Sequence, residues 1–352
     1  MSNEIDVGAL LTDQLERLLA KELTREMRFA LEERGEFPGT LWKEADEMGT
    51  TLVLAPESAG GVGLTWAQAE PVIRKLGQHA VPAPLAETMV GAWAAAAAGI
   101  AVPRGSLALA AAKFLLDDQG LVSGWDDLVP WAGTADALLL IAERHERAYL
   151  CLIDPALSDR HTLTTYARIP SARLRLKLVR PTAVAAAPPM LQRCGLLVPV
   201  ATMHSVQIAG VLAHVLDLCV EYANNRVQFG KPIGKFQAIQ HLLAELAGHV
   251  AAAQVAGLFA CRRIDSGAAE EGAAVAKTRV GIAATRGAAI AHQVFGAIGV
   301  TEEHELHYYT RRLWQWRAEG GSEHWWSERL GRQVLAAGGA ALWPFLTGSE
   351  PV

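Results

Sequence analysis

Four stretches carry residue types that could do chemistry. RAEGGSEHWW (317–326) sets one carboxylate, Glu319, before two glycines and a serine. A carboxylate on a glycine-flanked turn is a candidate general base. The same letters also spell the end of one helix and the Ser322 N-cap of the next. RVQFGKPIGKFQAIQ (226–240) places Arg226 and Lys231 around a turn built from Gly230, Pro232 and Gly234. A guanidinium beside a helix N-terminus can grip a phosphate with two hydrogen bonds, and a helix–turn–helix corner with a solvated arginine reads the same. QVFGAIGV (293–300) combines Gln293 with Gly296 and Gly299. That permits close backbone approach to a ligand, or simply a helix C-cap at Gly296. EEHELH (302–307) offers His304 and His307, but neither the HExxH spacing nor a third ligand, so a solvated helical face is expected. GxGxxG opening a βα unit, GxxxxGK[ST] and GxSxG do not occur.

The elements that must hold these stretches follow from periodicity. Leu15, Leu18, Leu19, Leu23 and Met27 recur at helical intervals, and residues 8–100 read as mostly helical around a break at PESAGGVGL (56–64). ADALLLIA (135–142) and AYLCLID (148–154) have strand length. ARLRLKLV (172–179) alternates Leu174, Leu176 and Leu178 with basic residues, which predicts a strand with those leucines facing a core. From about residue 195 the helical period returns. Ile239, Leu242, Leu243, Leu246, Val250 and Ala253 mark one long amphipathic helix, and 201–225 and 270–295 are Ala-rich partners suited to an up-and-down bundle.

The chain has 352 residues, 51% of them hydrophobic, enough for two or three packed regions. Thirty-two basic against 37 acidic side chains give −5, which argues against nucleic acid as a partner. Cys151, Cys194, Cys219 and Cys261 have no CxxC spacing, as expected for a reduced chain without a zinc site or disulfide framework. The N-terminus lacks a signal-peptide pattern, and the apolar run 89–101 is too short to span a bilayer. A cytoplasmic protein with no membrane span is expected.

In order along the chain, these pieces resemble the acyl-CoA dehydrogenase family. PESAGGVGL resembles its Pro-Glu-x-x-Gly-Gly-x-Gly segment. RVQFGKPIGKFQAIQ fits Arg-x-x-Phe-Gly-x-x-Ile-x-x-Phe-Gln-x-x-Gln, and QVFGAIGVTEEHEL resembles Gln-x-x-Gly-Gly-x-Gly-x-x-x-Glu with Ala297 at the second glycine. Glu319-Gly320 falls within one residue of the family's catalytic Glu-Gly turn. The resemblance implies a mainly α fold with a small β domain: an N-terminal helical domain (1–104), a shortened, barrel-like middle β domain (105–190) and a C-terminal four-helix bundle (191–352). It implies FAD as cofactor, contacted by Arg226, Phe229, Gln237, Gln293, Gly296 and Ala297, in part across a subunit interface. It further implies α,β-dehydrogenation of an acyl-CoA thioester with Glu319 as base, an electron-transfer acceptor protein, and a homo- or hetero-oligomer.

The β region departs from the pattern. The family's Thr-Glu-Pro-x-x-Gly-Ser-Asp loop is missing between Gly105 and Val122, and VSGWDDLVPW (122–131) has Leu128 and Pro130 at the flavin-facing Trp and Thr positions. Proline brings neither a hydroxyl nor an N–H. Residues implied to serve a neighbour's cofactor are kept, whereas those implied to serve the chain's own flavin ring are eroded. A non-catalytic subunit that completes the FAD site of a fuller partner is therefore the alternative expectation. Heteromeric steroid-type acyl-CoA dehydrogenases resemble that arrangement. A flavin oxidase on the same fold is a third reading.

Overall fold

The computed structural model describes residues 6–347. Five helices come first: α1 (Val7–Glu22), α2 (Arg25–Arg34), α3 (Gly39–Glu47), α4 (Trp66–Gln78) and α5 (Leu85–Ala97). Leu11, Leu15, Leu18 and Leu19 form the buried stripe of α1, and Asp6 caps its N-terminus by accepting from the Ala9 N–H. The PESAGGVGL break is a short 3-10 turn and loop between α3 and α4.

Seven strands follow: β1 (Leu107–Leu116), β2 (Val122–Pro130), β3 (Ala137–Arg144), β4 (Arg147–Ile153), β5 (Asp159–Leu163), β6 (Ser171–Val179) and β7 (Ala183–Ala186). They pair in the order β5-β6-β2-β1-β3-β4-β7, with only β1 and β3 parallel. The small middle β unit is thus a mixed sheet with β5 and β7 at its edges. One leucine departs from the expected alternation in β6. Leu174 and Leu176 are buried, but Leu178 adopts φ 55° and is 64% exposed, and Val179 takes the inward place. A single left-handed residue turns the strand over at that point.

The short α6 (Pro189–Cys194) leads into α7 (Leu197–Asn225), α8 (Gln237–Asp265) and α9 (Ala269–Phe295), which pack with α10 (Leu306–Ala318) as the C-terminal bundle. Helices α11 (Glu323–Ala337) and α12 (Leu342–Thr347) complete the described chain. Both α7 and α8 have the length and apolar content of a membrane span. Helix α7 earns that composition as a core helix, enclosed by its neighbours along most of its length. All four cysteines are free thiols.

The N-terminal helices are locked to the bundle at two places. Asp265, at the end of α8, accepts from the Trp66 and Ala67 N–H groups at 2.9 Å each and so caps α4. Further along, α4 and α7 touch backbone to backbone: a Cβ on Gly210 would lie 2.1 Å from the Arg74 carbonyl oxygen, and one on Gly77 would lie 2.2 Å from that of Gln207. Gly210→Ala is therefore expected to push the helices apart and cost about 1–3 kcal/mol or more. Chemical denaturation of the variant beside wild type measures this.

Candidate functional site

Glu319 ends α10. Its N–H donates to the Gln315 carbonyl at 3.0 Å, and the chain then turns through Gly320 (φ 68°) and Gly321 (φ 89°) to Ser322, whose hydroxyl accepts from the Trp325 N–H and caps α11. Gly320 is required twice over. Its φ is left-handed, and a Cβ there would stand 2.9 Å from Ala201 Cα in α7. The turn is also tied from outside. Trp326 Nε1 donates to the Gly320 carbonyl at 2.8 Å. Lys277, fully buried on α9, donates to the carbonyls of Trp316 (2.7 Å), Arg317 (3.1 Å) and Glu319 (2.7 Å). Three ammonium hydrogens thus meet three carbonyls at the negative end of α10.

The Glu319 side chain is only 6% exposed. Its Oε1 accepts from Gln315 Nε2 at 2.6 Å, and Gln315 Oε1 in turn accepts from the Ala167 N–H in the β5–β6 loop at 2.8 Å. His204 of α7 approaches Oε2 to 3.3 Å and stacks on Trp316. The buried Arg312 guanidinium lies 5.9 Å from the Trp131 ring centre and 5.7 Å from that of Trp316, and Trp131 Nε1 donates to Glu87 Oε1 of α5 at 3.2 Å. Buried side chains from α5, α7, α10 and Trp131 after β2, with the Ala167 N–H, thus gather around this carboxyl between sheet and bundle. Five surface clefts of about 150 to 800 Å3 are lined by other residues.

Burial sets the electrostatics. It raises Glu319 to about 7, with a further push from Glu87, against the Gln315 hydrogen bond, Arg312 and Lys277. Burial likewise raises Glu87 to about 7, pulls His204 down to about 3 and Lys277 down to about 7. Burial thus works against an ion pair between His204 and Glu319, because it disfavours both the charged imidazole and the charged carboxylate. Each carboxyl binds its proton more tightly in the folded chain than in the unfolded one. Its stabilisation is full below about 4.5 and is lost as pH rises through about 7. At ~1.4 kcal/mol per pH unit, one such group accounts for on the order of 3 kcal/mol. The double variant Glu87→Gln, Glu319→Gln is expected to gain stability on wild type across that window. Denaturation of both proteins at pH 5 and pH 8 tests it.

The six residues implied to contact a cofactor lie elsewhere. Arg226 follows α7, and its carbonyl accepts from the Ile233 N–H to close the loop that carries Phe229, 92% exposed, and leads to Gln237 at the start of α8. Gln293 is in the last turns of α9, and Gly296 (φ 62°) is its C-cap, followed by Ala297. The two segments meet through Tyr222, which stacks on Phe295 with ring centres 4.4 Å apart and donates to its carbonyl. All six residues are exposed. They share one end of the bundle, whereas Gly320, next to Glu319, stands against Ala201 near the start of α7. At ~1.5 Å per residue, that helix separates the two places by roughly 35 Å.

His304 and His307 do not form a solvated face: α10 begins only at Leu306, His304 accepts from the Leu306 N–H, and His307 is buried with Nδ1 against the His304 carbonyl. Trp131, Arg312, His204 and Lys277 were not visible as site residues in the sequence, since each gains its meaning from a different element.

Residues 9–101 match the acyl-CoA dehydrogenase N-terminal domain, and residues 197–335 match the acyl-CoA dehydrogenase C-terminal domain. The chain belongs to the acyl-CoA dehydrogenase family. It is 29% identical over 278 residues to acyl-CoA dehydrogenase IpdE2 of Mycobacterium tuberculosis, covering 78% of this chain and 80% of that one. Among solved structures it is similar to a Tcur3481–Tcur3483 steroid acyl-CoA dehydrogenase variant (TM-score 0.86, 26% identity, 94% and 98% of the chains). The ChsE4–ChsE5 complex from Mycobacterium tuberculosis shares the fold (TM-score 0.84, 22% identity, 95% and 98%).

FAD is the cofactor that goes with this family. The exposed arginine loop, aromatic ring and open glycine turn suit the charged and adenosine parts of such a molecule lying outside this chain. The ring end fits poorly here. The Leu128 N–H already donates to Asp126 Oδ1 at 3.1 Å, Pro130 has no N–H, and Trp131 and Arg312 fill the space beside Glu319.

Proposed function

We propose that this chain is the partner subunit of a hetero-oligomeric acyl-CoA dehydrogenase. Its exposed bundle end completes the FAD site of a fuller chain, and the acyl-CoA thioester is dehydrogenated there. The observation that carries this reading is the contrast in exposure: the six cofactor residues are open, while Glu319 is enclosed. Arg226 neutralises phosphate charge, Phe229 covers an apolar ring face, and Gln293, Gly296 and Ala297 present amide groups along the nucleotide. FAD, when bound, would supply the acceptor for the hydride from the substrate's β-carbon, with a base of the fuller chain taking the α-proton. The heteromeric steroid-type relatives support this assembly and suggest a bulky acyl group. The complex is placed in the cytoplasm, passing electrons to an acceptor protein.

The test is kinetic. Co-expressed with a fuller acyl-CoA dehydrogenase chain, the Glu319→Gln variant is expected to keep kcat within about twofold of wild type. A loss of a hundredfold or more would restore the second reading, in which Glu319 is itself the base. That reading is favoured by one feature, the carboxyl raised to about 7, which makes a stronger base than an ordinary glutamate.

A further inference from the structure

The hydrogen bonds around Glu319 have a direction. The Ala167 N–H can only donate, so Gln315 presents its oxygen to the backbone and its amide N–H to Glu319 Oε1. On the other side, His204 Nδ1 lies 2.9 Å from Gln207 Oε1, an acceptor, so Nδ1 carries the imidazole hydrogen. His204 Nε2 is then a lone pair, and it is the atom 3.3 Å from Glu319 Oε2. Oε2 is buried and receives no hydrogen bond from any protein donor among the described residues. With one imidazole hydrogen, on Nδ1, an ionised Glu319 would set acceptor against acceptor in a buried site.

We infer that Glu319 is held as the neutral carboxylic acid, its proton on Oε2 directed at His204 Nε2, so that His204 is a positioning residue that keeps this proton in place. The chain Ala167, Gln315, Glu319, His204, Gln207 then runs donor to acceptor from the β5–β6 loop, through α10, into α7. It ties the sheet to the bundle over the space where a free base would need to be open.

The pair has charged neighbours on three elements. Glu87 faces it from α5, Lys277 from α9 and Arg312 from α10, while Glu323 of α11 acts on Lys277 and is paired to Arg317. The two cations favour an ionised Glu319 and disfavour a charged His204, while Glu87 favours the neutral acid. A charged imidazolium–carboxylate pair would also satisfy Gln207 Oε1, but it would draw Nε2 and Oε2 closer than 3.3 Å, to about 2.7–2.9 Å as in a charge-assisted bond, and would set a further cation beside Lys277 and Arg312.

The experiment is nitrogen NMR of the full chain labelled in its histidines, from pH 5 to pH 7. His204 is identified as the signal most shifted by Glu319→Gln. That amide can still donate to Nε2 and accept from Gln315, so the variant is expected to fold and to keep the tautomer. The expected result is a neutral Nδ1–H imidazole throughout. An imidazolium signature at pH 5–7, or an Nε2–H tautomer in that range, would overturn the inference. Should the variant fail to fold, His204→Asn identifies the same signal, and the wild-type spectrum alone decides between the forms. The outcome is separate from the partner-subunit reading: a flavin bound by this chain alone would sink that reading and leave the His204 tautomer unchanged.

Discussion

Replacing Arg226 with alanine is expected to release FAD from the assembled complex, weakening its retention about 10- to 100-fold. A hydrogen bond to a charged group contributes about 1.5–3 kcal/mol, and a guanidinium can make two to a pyrophosphate. Arg226 stands on an exposed loop and makes no ion pair among the described residues, so the loss should appear in cofactor affinity and leave folding alone. Arg226→Lys should recover only part of the affinity, because an ammonium lacks the planar fork. Bound-flavin absorbance after gel filtration at rising salt reports the effect. Retention unchanged in the alanine variant would remove Arg226 from the cofactor site.

The second large effect concerns stability. Lys277→Met keeps the aliphatic stem but removes the ammonium that satisfies three buried carbonyls at the end of α10. Those acceptors would be left without donors in a site closed to water, beside Glu319 and Glu323. A cost of about 3–5 kcal/mol is expected, in the range for breaking a buried charged interaction. The urea midpoint should fall accordingly, with the slope unchanged. A change below about 1 kcal/mol would mean that the carbonyls find other partners and that Lys277 does not hold the turn.

Much of the architecture is legible in the sequence because it is written in local periodicity. The α8 stripe at Leu246, Val250 and Ala253 is buried as its spacing implies, and Ser322 caps α11 as its position before Glu323 suggests. Strand β1 is harder to read: its Leu-Ala-Leu-Ala-Ala-Ala run carries little contrast between the two faces, and its four leading residues are all buried. Leu178 fails for another reason, since alternation holds only while φ stays extended. The Arg226 and Gln293 segments were legible as motifs, and the Tyr222–Phe295 contact brings them to one place.

The surroundings of Glu319 were not legible. His204 looks like one polar residue in an apolar helix, and Lys277 like one of many charges on an Ala-rich one. Only the crossing of α7, α9 and α10 under the sheet turns them into partners of one turn. Double glycine after Glu319 reads equally as punctuation or as a catalytic loop. What the fold adds is a packing demand, the 2.9 Å approach of a would-be Gly320 Cβ to Ala201, a distance that no local pattern contains.

The measurement that bears most directly on the partner role is FAD content per chain, taken with the protein purified alone and with it co-purified with a fuller acyl-CoA dehydrogenase chain. A partner role means no stoichiometric flavin on this chain alone and a flavin-loaded hetero-oligomer when the partner is present. A fully flavinylated, active homo-oligomer of this chain by itself would contradict it.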